Sequence, residues 1–110
     1  MGFETIPARE LDRLIKDGRG VIIDLRSPEE YRLKHIQGSV NLPYERWDGR
    51  FPYSQRQEIV LYCERGSVSM VAARELAEMG YRVKTVVGGI KSYRGNRLEG
   101  IDVKKQRLND

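Results

Sequence analysis

The stretch EIVLYCERGSVSM, residues 58–70, contains the only cysteine of this 110-residue chain. The apolar run from Ile59 to Tyr62 predicts a buried strand, and Cys63 is the first residue after it. A helical pattern of apolar residues follows the cysteine and ends at Gly80. The position between a strand and a helix poses a question. The thiol is either a small buried side chain or a nucleophile held at the edge of a sheet.

Short apolar runs and helical patterns alternate along the rest of the chain. Val21–Asp24, Ser39–Leu42 and Arg82–Val87 read as strands, and residues 27–30 combine a capping serine, a proline and a glutamate that start a helix. This alternation predicts a three-layer α/β domain, with a five-stranded, mainly parallel sheet flanked by helices. Ligands of such sheets bind at the carboxyl ends of the strands, which is where Cys63 lies.

Length and composition predict one globular domain over residues 1–110, with a core at about residues 3–95 and a C-terminal tail at 96–110. The net charge is +4, but basic and acidic residues are interleaved, and aromatic residues do not alternate with basic ones. We therefore expect no nucleic-acid partner and only a general attraction for small anions.

One cysteine cannot form an internal disulfide, so a reducing compartment is expected. The first residues have no basic region followed by an apolar one, and no apolar stretch reaches transmembrane length. The expected location is the cytoplasm, without a membrane partner.

The residues after the cysteine favour a reactive thiol. If a helix begins at Ser69, the segment 64–68 curls between strand and helix, and its N–H groups can converge on an anion. Gly66 permits the positive φ that such a curl requires, and the helix N-terminus adds partial positive charge. These surroundings favour the nucleophilic thiolate, and Arg65 adds a cation nearby. The alternative is an inert buried cysteine, because free cysteine is among the most buried residue types.

Three separated motifs resemble the single-domain rhodaneses, a family of sulfurtransferases, over residues 3–94. They are IDLRSPEEYRLKHIQGSVNLP (23–43), VLYCERGSVS (60–69) and GYRVKTVVGGIKSY (80–93). The resemblance implies that Cys63 takes the outer sulfur of thiosulfate or a similar small anionic donor and becomes a persulfide. The sulfur then passes to cyanide in an assay, or to a thiol or protein acceptor. It implies neither a metal nor an organic cofactor.

The resemblance also assigns the substrate-binding loop. Its residues are Glu64, Arg65, Gly66, Ser67, Val68 and Ser69. Many members of the family carry arginine or another polar residue at the position of Val68, which leaves the donor preference open. Arg65 is the candidate to replace that side chain.

Other polar residues near the predicted strand ends are expected to support the site. Asp24 and Arg26 should pair with each other or with the loop backbone. His35, the only histidine, cannot build a multi-histidine metal site. It is a candidate general base for Cys63, but the resemblance places it at a helix end near the sheet, where it packs a turn. The glycines at 88–89 should serve a turn, with close approach to the active-site loop as a second interpretation. Glu64 is expected to point to solvent, or to select a cationic or protein acceptor.

Two other functions are possible on this fold. Related phosphatases and arsenate reductases use cysteine, five residues and then arginine, but the corresponding residue here is Ser69. The second alternative is a non-catalytic or sulfur-relay module that docks a protein partner. A closed pocket would favour it, as would exposed aromatic residues between 44 and 53, such as Trp47, Phe51 and Tyr53. A redox-sensing thiol is disfavoured, because the chain has no resolving cysteine.

Overall fold

The structure, a computed structural model, describes residues 2–48 and 50–109, the last four through their backbone alone. The strands are β1 (Glu4–Ile6), β2 (Val21–Asp24), β3 (His35–Ile36), β4 (Val40–Asn41), β5 (Glu58–Tyr62), β6 (Arg82–Val86) and β7 (Leu98–Glu99). The α-helices are α1 (Glu10–Asp17), α2 (Pro28–Leu33), α3 (Ser67–Glu78) and α4 (Ile101–Asn109). Short 3₁₀ turns occupy Tyr44–Arg46 and Gly89–Ser92.

Five strands form one parallel sheet in the order β1-β6-β5-β2-β4. The prediction of an α/β fold with a five-stranded sheet is confirmed, and every pairing within this sheet is parallel. Because β5 lies in the middle, the residue that follows it sits at the centre of the carboxyl-end edge. Cys63 is that residue.

The two faces of the sheet bury separate hydrophobic clusters. One face packs Ile22 and Val60 against α1, and the other packs Ile59 and Leu61 against α3. Burial on both faces explains why these strands are continuous apolar runs rather than alternating ones. Each such side chain contributes roughly 1.5–3 kcal/mol through burial. The edge that carries Cys63 is therefore supported by a rigid core.

Helix α3 begins two residues earlier than the sequence prediction. Gly66 is its N-cap, in the left-handed conformation with φ 101°, and the first helical residue is Ser67. The glycine turns the chain sharply enough for helical bonding to start at once, and Met70 N–H donates to the Gly66 carbonyl at 3.2 Å. The loop after the cysteine is therefore shorter than predicted.

Part of the segment expected to be a tail, residues 96–110, is built into the structure. β7 pairs antiparallel with β3, with Leu98 opposite Ile36, and α4 follows it. Leu98 is half-buried against the hydrophobic cluster that contains α1. This contact anchors the pair of strands β3 and β7 to the core. One apolar residue in a two-residue strand is too weak a pattern for sequence reasoning to detect. Asp110 lies outside the described residues.

Within the described residues, no helix is long and apolar enough to cross a membrane.

Candidate active site

Cys63 lies at the floor of an open pocket of about 440 Å³ and is 4% exposed. The pocket is lined by Leu25, Arg26, Ser27, Glu30, Tyr44, Glu45, Cys63, Glu64, Arg65, Ser67 and Val68. The two interpretations of the cysteine are thus both partly realised, because the side chain packs against the core and still faces a cavity.

The backbone of the following loop surrounds the sulfur. Cys63 Sγ accepts hydrogen bonds from the N–H groups of Gly66, at 3.1 Å, and Ser69, at 3.3 Å. Both donors exist in this orientation because Gly66 adopts a positive φ, which is strained for other residues. N–H groups directed at the sulfur stabilise a negative charge on it, and the thiolate is the form of cysteine that reacts as a nucleophile.

Further N–H groups at the pocket remain available to a ligand. The amides of Glu64, Arg65, Ser67 and Val68 donate to no acceptor within residues 2–48 and 50–109. The amides of Ser67 and Val68 belong to the first turn of α3, where the helix dipole is positive. The pocket can therefore hold an anion beside the sulfur.

Asp24 and Arg26 pair with each other below one wall of the pocket. The Asp24 carboxylate accepts hydrogen bonds from Arg26 N at 2.8 Å, Nε at 3.1 Å and Nη2 at 2.9 Å. Burial alone would lower the pKa of Arg26, but the hydrogen bonds and charge of Asp24 outweigh it and raise that pKa. The guanidinium also donates to the Lys34 carbonyl at 2.5 Å, so little of it remains for a substrate.

Glu64 forms ion pairs rather than pointing only to solvent. Its carboxylate accepts a hydrogen bond from Arg26 Nη1 at 3.1 Å and lies 3.8 Å from Lys91 Nζ. The side chain is 38% exposed. Glu64 is therefore partly exposed to solvent, and it is also paired because Arg26 has one nitrogen left over from Asp24 and that nitrogen reaches the loop. Selection of the acceptor by Glu64 stays a prediction.

Arg65 and Val68 form the exposed rim of the pocket. Arg65 makes no ion pair with any described residue, so its guanidinium can approach a ligand. Val68 is 41% exposed and presents an apolar surface at this rim.

The paired glycines serve both roles considered for them. Gly88 and Gly89 have positive φ values of 76° and 63°, and a Cβ on Gly89 would overlap the carbonyl oxygens of Cys63 and Glu64. Their turn directs Ile90 N–H to the Cys63 carbonyl at 3.0 Å, and the next N–H to the Glu64 carbonyl at 3.1 Å. The glycines therefore allow one loop to hold the other.

His35 lies away from the pocket and acts as a packing residue. Its ring stacks on Tyr31 with centroids 3.8 Å apart, and Nδ1 lies 2.6 Å from the Tyr31 carbonyl. It is not among the residues that line the Cys63 pocket. The arrangement gives no support to a general base at this position.

The aromatic residues of the 44–53 segment pack side by side beside the pocket. Trp47 lies between Tyr44 and Phe51, and Phe51 also contacts Tyr53. They are half-buried rather than exposed. A second cavity of about 310 Å³ opens next to them and shares Tyr44 and Glu45 with the first.

Ser69 is fully buried and points away from the pocket. Its hydroxyl donates to the Gly66 carbonyl at 3.2 Å and accepts from the Thr85 hydroxyl at 2.7 Å. An arginine that grips a tetrahedral oxyanion in phosphatases has no counterpart at this position. Sequence reasoning missed Thr85, because it is one of three polar residues in the five-residue strand Arg82–Val86 and its polarity alone gave no signal.

Comparisons with known proteins agree with this fold. Residues 7–96 match the rhodanese-like domain. The chain is 32% identical over 81 residues to the thiosulfate sulfurtransferase PspE of Escherichia coli, covering 71% of this chain and 78% of that protein. It is also 32% identical over 93 residues to a tRNA sulfurtransferase of Desulfurococcus amylolyticus. In a crystal structure of reduced CoADR-RHD from Bacillus anthracis, the matching region is 38% identical with a TM-score of 0.76. The chain belongs to the rhodanese-like family.

Two of these relatives are much longer proteins. The match covers 83% of this chain but only 18% of the tRNA sulfurtransferase, and 83% of this chain but 16% of the Bacillus anthracis chain.

Proposed function

We propose that the protein is a sulfurtransferase that carries a sulfane sulfur on Cys63. The observation that carries this proposal is the geometry of the thiol. Its sulfur accepts hydrogen bonds from two backbone N–H groups at the floor of an open pocket. Other N–H groups at this pocket have no acceptor among the described residues. Membership of the rhodanese-like family and the names of the relatives support a sulfurtransferase or sulfur-relay role.

The first half-reaction forms a persulfide. The Cys63 thiolate attacks the outer sulfur of thiosulfate, a new S–S bond forms, and the bond between the two donor sulfurs breaks. Sulfite leaves with the electron pair of that bond, so charge and atoms balance and no external oxidant is needed. The N–H groups of the loop bind the anionic end of the donor, and Arg65 adds a cation at the rim.

The second half-reaction returns the enzyme to its starting state. An acceptor such as cyanide, or the thiolate of a small molecule or protein, attacks the outer sulfur of the persulfide. The Cys63 thiolate is the leaving group, so one difficult transfer is split into two easier ones. The proposed partners are a small anionic sulfur donor and a thiol or protein acceptor.

The decisive experiment is intact mass spectrometry after the reduced protein has been incubated with thiosulfate. The wild-type protein should gain the mass of one sulfur atom, lose it on addition of cyanide, and release thiocyanate. Cys63→Ser should gain nothing. A wild-type protein that gains no sulfur from thiosulfate or from protein persulfides, although its thiol alkylates readily, would contradict the proposal.

The second candidate function is a sulfur-relay module that docks a protein partner. The 44–53 aromatic residues are half-buried and the Cys63 pocket is open, so neither feature expected of such a module is present. The observation in its favour is the second cavity beside the Cys63 pocket, which a small donor would leave empty. A relay module would accept sulfur from a protein persulfide much faster than from thiosulfate. Comparing the two donors at equal concentration, by the same mass measurement, separates the candidates.

We propose the cytoplasm as the compartment, because its reducing conditions keep a thiol without a disulfide partner in the reduced form. Phosphatase activity is not proposed, since the loop offers a buried serine where an arginine would be required.

A further inference from the structure

Thr85 is a fully buried polar residue in the middle of the sheet. It lies in β6, 1% exposed, between β1 and β5. Alternation along the strand puts its side chain on the face of Val83, which packs against α3. Valine has nearly the same shape and would fill this site without a polar atom. A buried hydroxyl here therefore needs a hydrogen-bond partner.

The partner is Ser69 in the first turns of α3. Thr85 Oγ1 donates to Ser69 Oγ at 2.7 Å, and Ser69 Oγ donates to the Gly66 carbonyl at 3.2 Å. The two hydroxyls and the carbonyl form a chain from the sheet to the loop. The Thr85 hydroxyl donates to a lone pair of Ser69 Oγ. The proton of the Ser69 hydroxyl is therefore directed toward the Gly66 carbonyl oxygen.

This chain, together with the Met70 N–H that also donates to the Gly66 carbonyl at 3.2 Å, orients one peptide group of the active-site loop. The Gly66 carbonyl belongs to the same peptide plane as the N–H of Ser67. In a trans peptide these two groups point in opposite directions. A carbonyl held in the interior therefore turns the Ser67 N–H outward, and Ser67 lines the pocket.

We infer that Thr85 is a positioning residue that acts through Ser69 to hold the Ser67 N–H toward an anion in the Cys63 pocket. The inference deepens the proposed function and rests on it, because the anion would be the sulfur donor. The thiol itself is held by other N–H groups, those of Gly66 and Ser69. Loss of Thr85 should therefore weaken anion binding more than the reactivity of the sulfur.

Two alkylating agents of similar size separate these effects without any sulfur transfer. Iodoacetate carries a carboxylate and iodoacetamide is neutral, and both alkylate Cys63 with loss of iodide. The measurement is the ratio of their second-order rates at one pH. Thr85→Val should lower the ratio about five-fold, the factor that one hydrogen bond is worth, while the iodoacetamide rate stays near that of wild type. Thr85→Ser, which keeps the hydroxyl, should restore the ratio.

Two further variants make the test specific. Ser69→Ala should lower the ratio as Thr85→Val does, and the double variant should show no further loss, because both remove one chain. Ser39→Ala is the matched control. Ser39 is also a buried hydroxyl that donates to a backbone carbonyl, Ile36 O at 2.7 Å, and its loss should leave the ratio unchanged.

The inference is overturned if Thr85→Val leaves the ratio unchanged, or if it slows both reagents equally. It is also overturned if Ser39→Ala lowers the ratio by the same factor. Failure of the wild-type protein to form a persulfide would reject the proposed function instead, since alkylation does not depend on it.

Discussion

Two polar networks lie side by side at the carboxyl ends of the central strands, and they differ in charge. Asp24 of β2 and Tyr62 of β5 are register partners, and both are fully buried. The Asp24 carboxylate is paired with the Arg26 guanidinium, which also reaches Glu64 in the loop after Cys63. This charged network links the sheet directly to the candidate site.

The second network is neutral. The Tyr62 hydroxyl accepts from Ile36 N–H at 3.1 Å and lies 3.0 Å from the Ser39 hydroxyl, and it ties β3 and the following turn to the sheet. The comparison shows that the loss of a hydrogen-bond or ion-pair partner can cost very different free energies at neighbouring buried positions. A buried charge without its partner is far more costly than a buried hydroxyl or amide without one.

The largest effect is expected from breaking the charged network. Arg26→Met should destabilise the protein by about 3–5 kcal/mol, because it leaves the Asp24 carboxylate buried without a cation. Urea unfolding measures the loss. Arg74→Met, which removes an exposed arginine of α3, is the matched control and should change stability by about 0.5 kcal/mol or less. A loss below about 1 kcal/mol for Arg26→Met would contradict the role assigned to the ion pair.

A smaller effect is expected from the neutral network. Tyr62→Phe should cost about 1–3 kcal/mol, because the Ile36 N–H loses its acceptor in the core. Tyr53→Phe is the control, since the Tyr53 hydroxyl has no hydrogen-bond partner within the described part of the chain. If Tyr62→Phe destabilises the protein as much as Arg26→Met, charge is not the difference between the networks.

Two buried tyrosines, Tyr62 of the neutral network and Tyr93 beside Asp12, predict a dependence of stability on alkaline pH. Burial raises the pKa of Tyr62, and the charge of Asp24 raises it further. Burial likewise raises the pKa of Tyr93 to about 12, together with its hydrogen bond to Asp12. Unfolded tyrosine loses its proton near pH 10, so above that pH the unfolded state binds fewer protons than the folded state.

Stability contributed by these hydroxyls is therefore complete below about pH 10 and falls as the pH rises toward 12 and beyond, by at most about 1.4 kcal/mol per pH unit and group. Urea unfolding at several pH values should give a shallower decline for Tyr62→Phe and for Tyr93→Phe than for wild type. Equal slopes in all three proteins would refute this account.

The smallest effect is expected where the charged network reaches the surface. Glu64→Gln should change stability by less than about 1 kcal/mol, because an ion pair with a partly exposed carboxylate is screened by water. Glu99→Gln serves as the control, since Glu99 is exposed and its carboxylate lies 4.0 Å from His35 Nε2 but pairs with no described lysine or arginine. Transfer rates from the Cys63 persulfide to neutral and cationic thiols then test the idea that Glu64 selects the acceptor. Unchanged rates for both thiols would dispose of it.

Local patterns in the sequence predicted the features that depend on near neighbours. The capping box of α2 is present, with Ser27 and Glu30 bonded reciprocally, because its partners lie three residues apart. The apolar run of β5 predicted a buried strand, and the glycine at 66 permits the positive φ that the structure shows. Asp24 and Arg26, two residues apart, form the expected pair.

The sequence by itself thus determined the α/β class, the strand that ends just before Cys63 and the family to which the chain belongs. Only the tertiary structure decided which distant groups meet at the loop. Arg26 and Glu64 are 38 residues apart, and Thr85 and Ser69 are 16 apart. The physical reason is range. Capping, periodicity and turn conformation act between residues close in sequence, whereas these contacts exist only because parallel strands bring remote segments to one edge of the sheet.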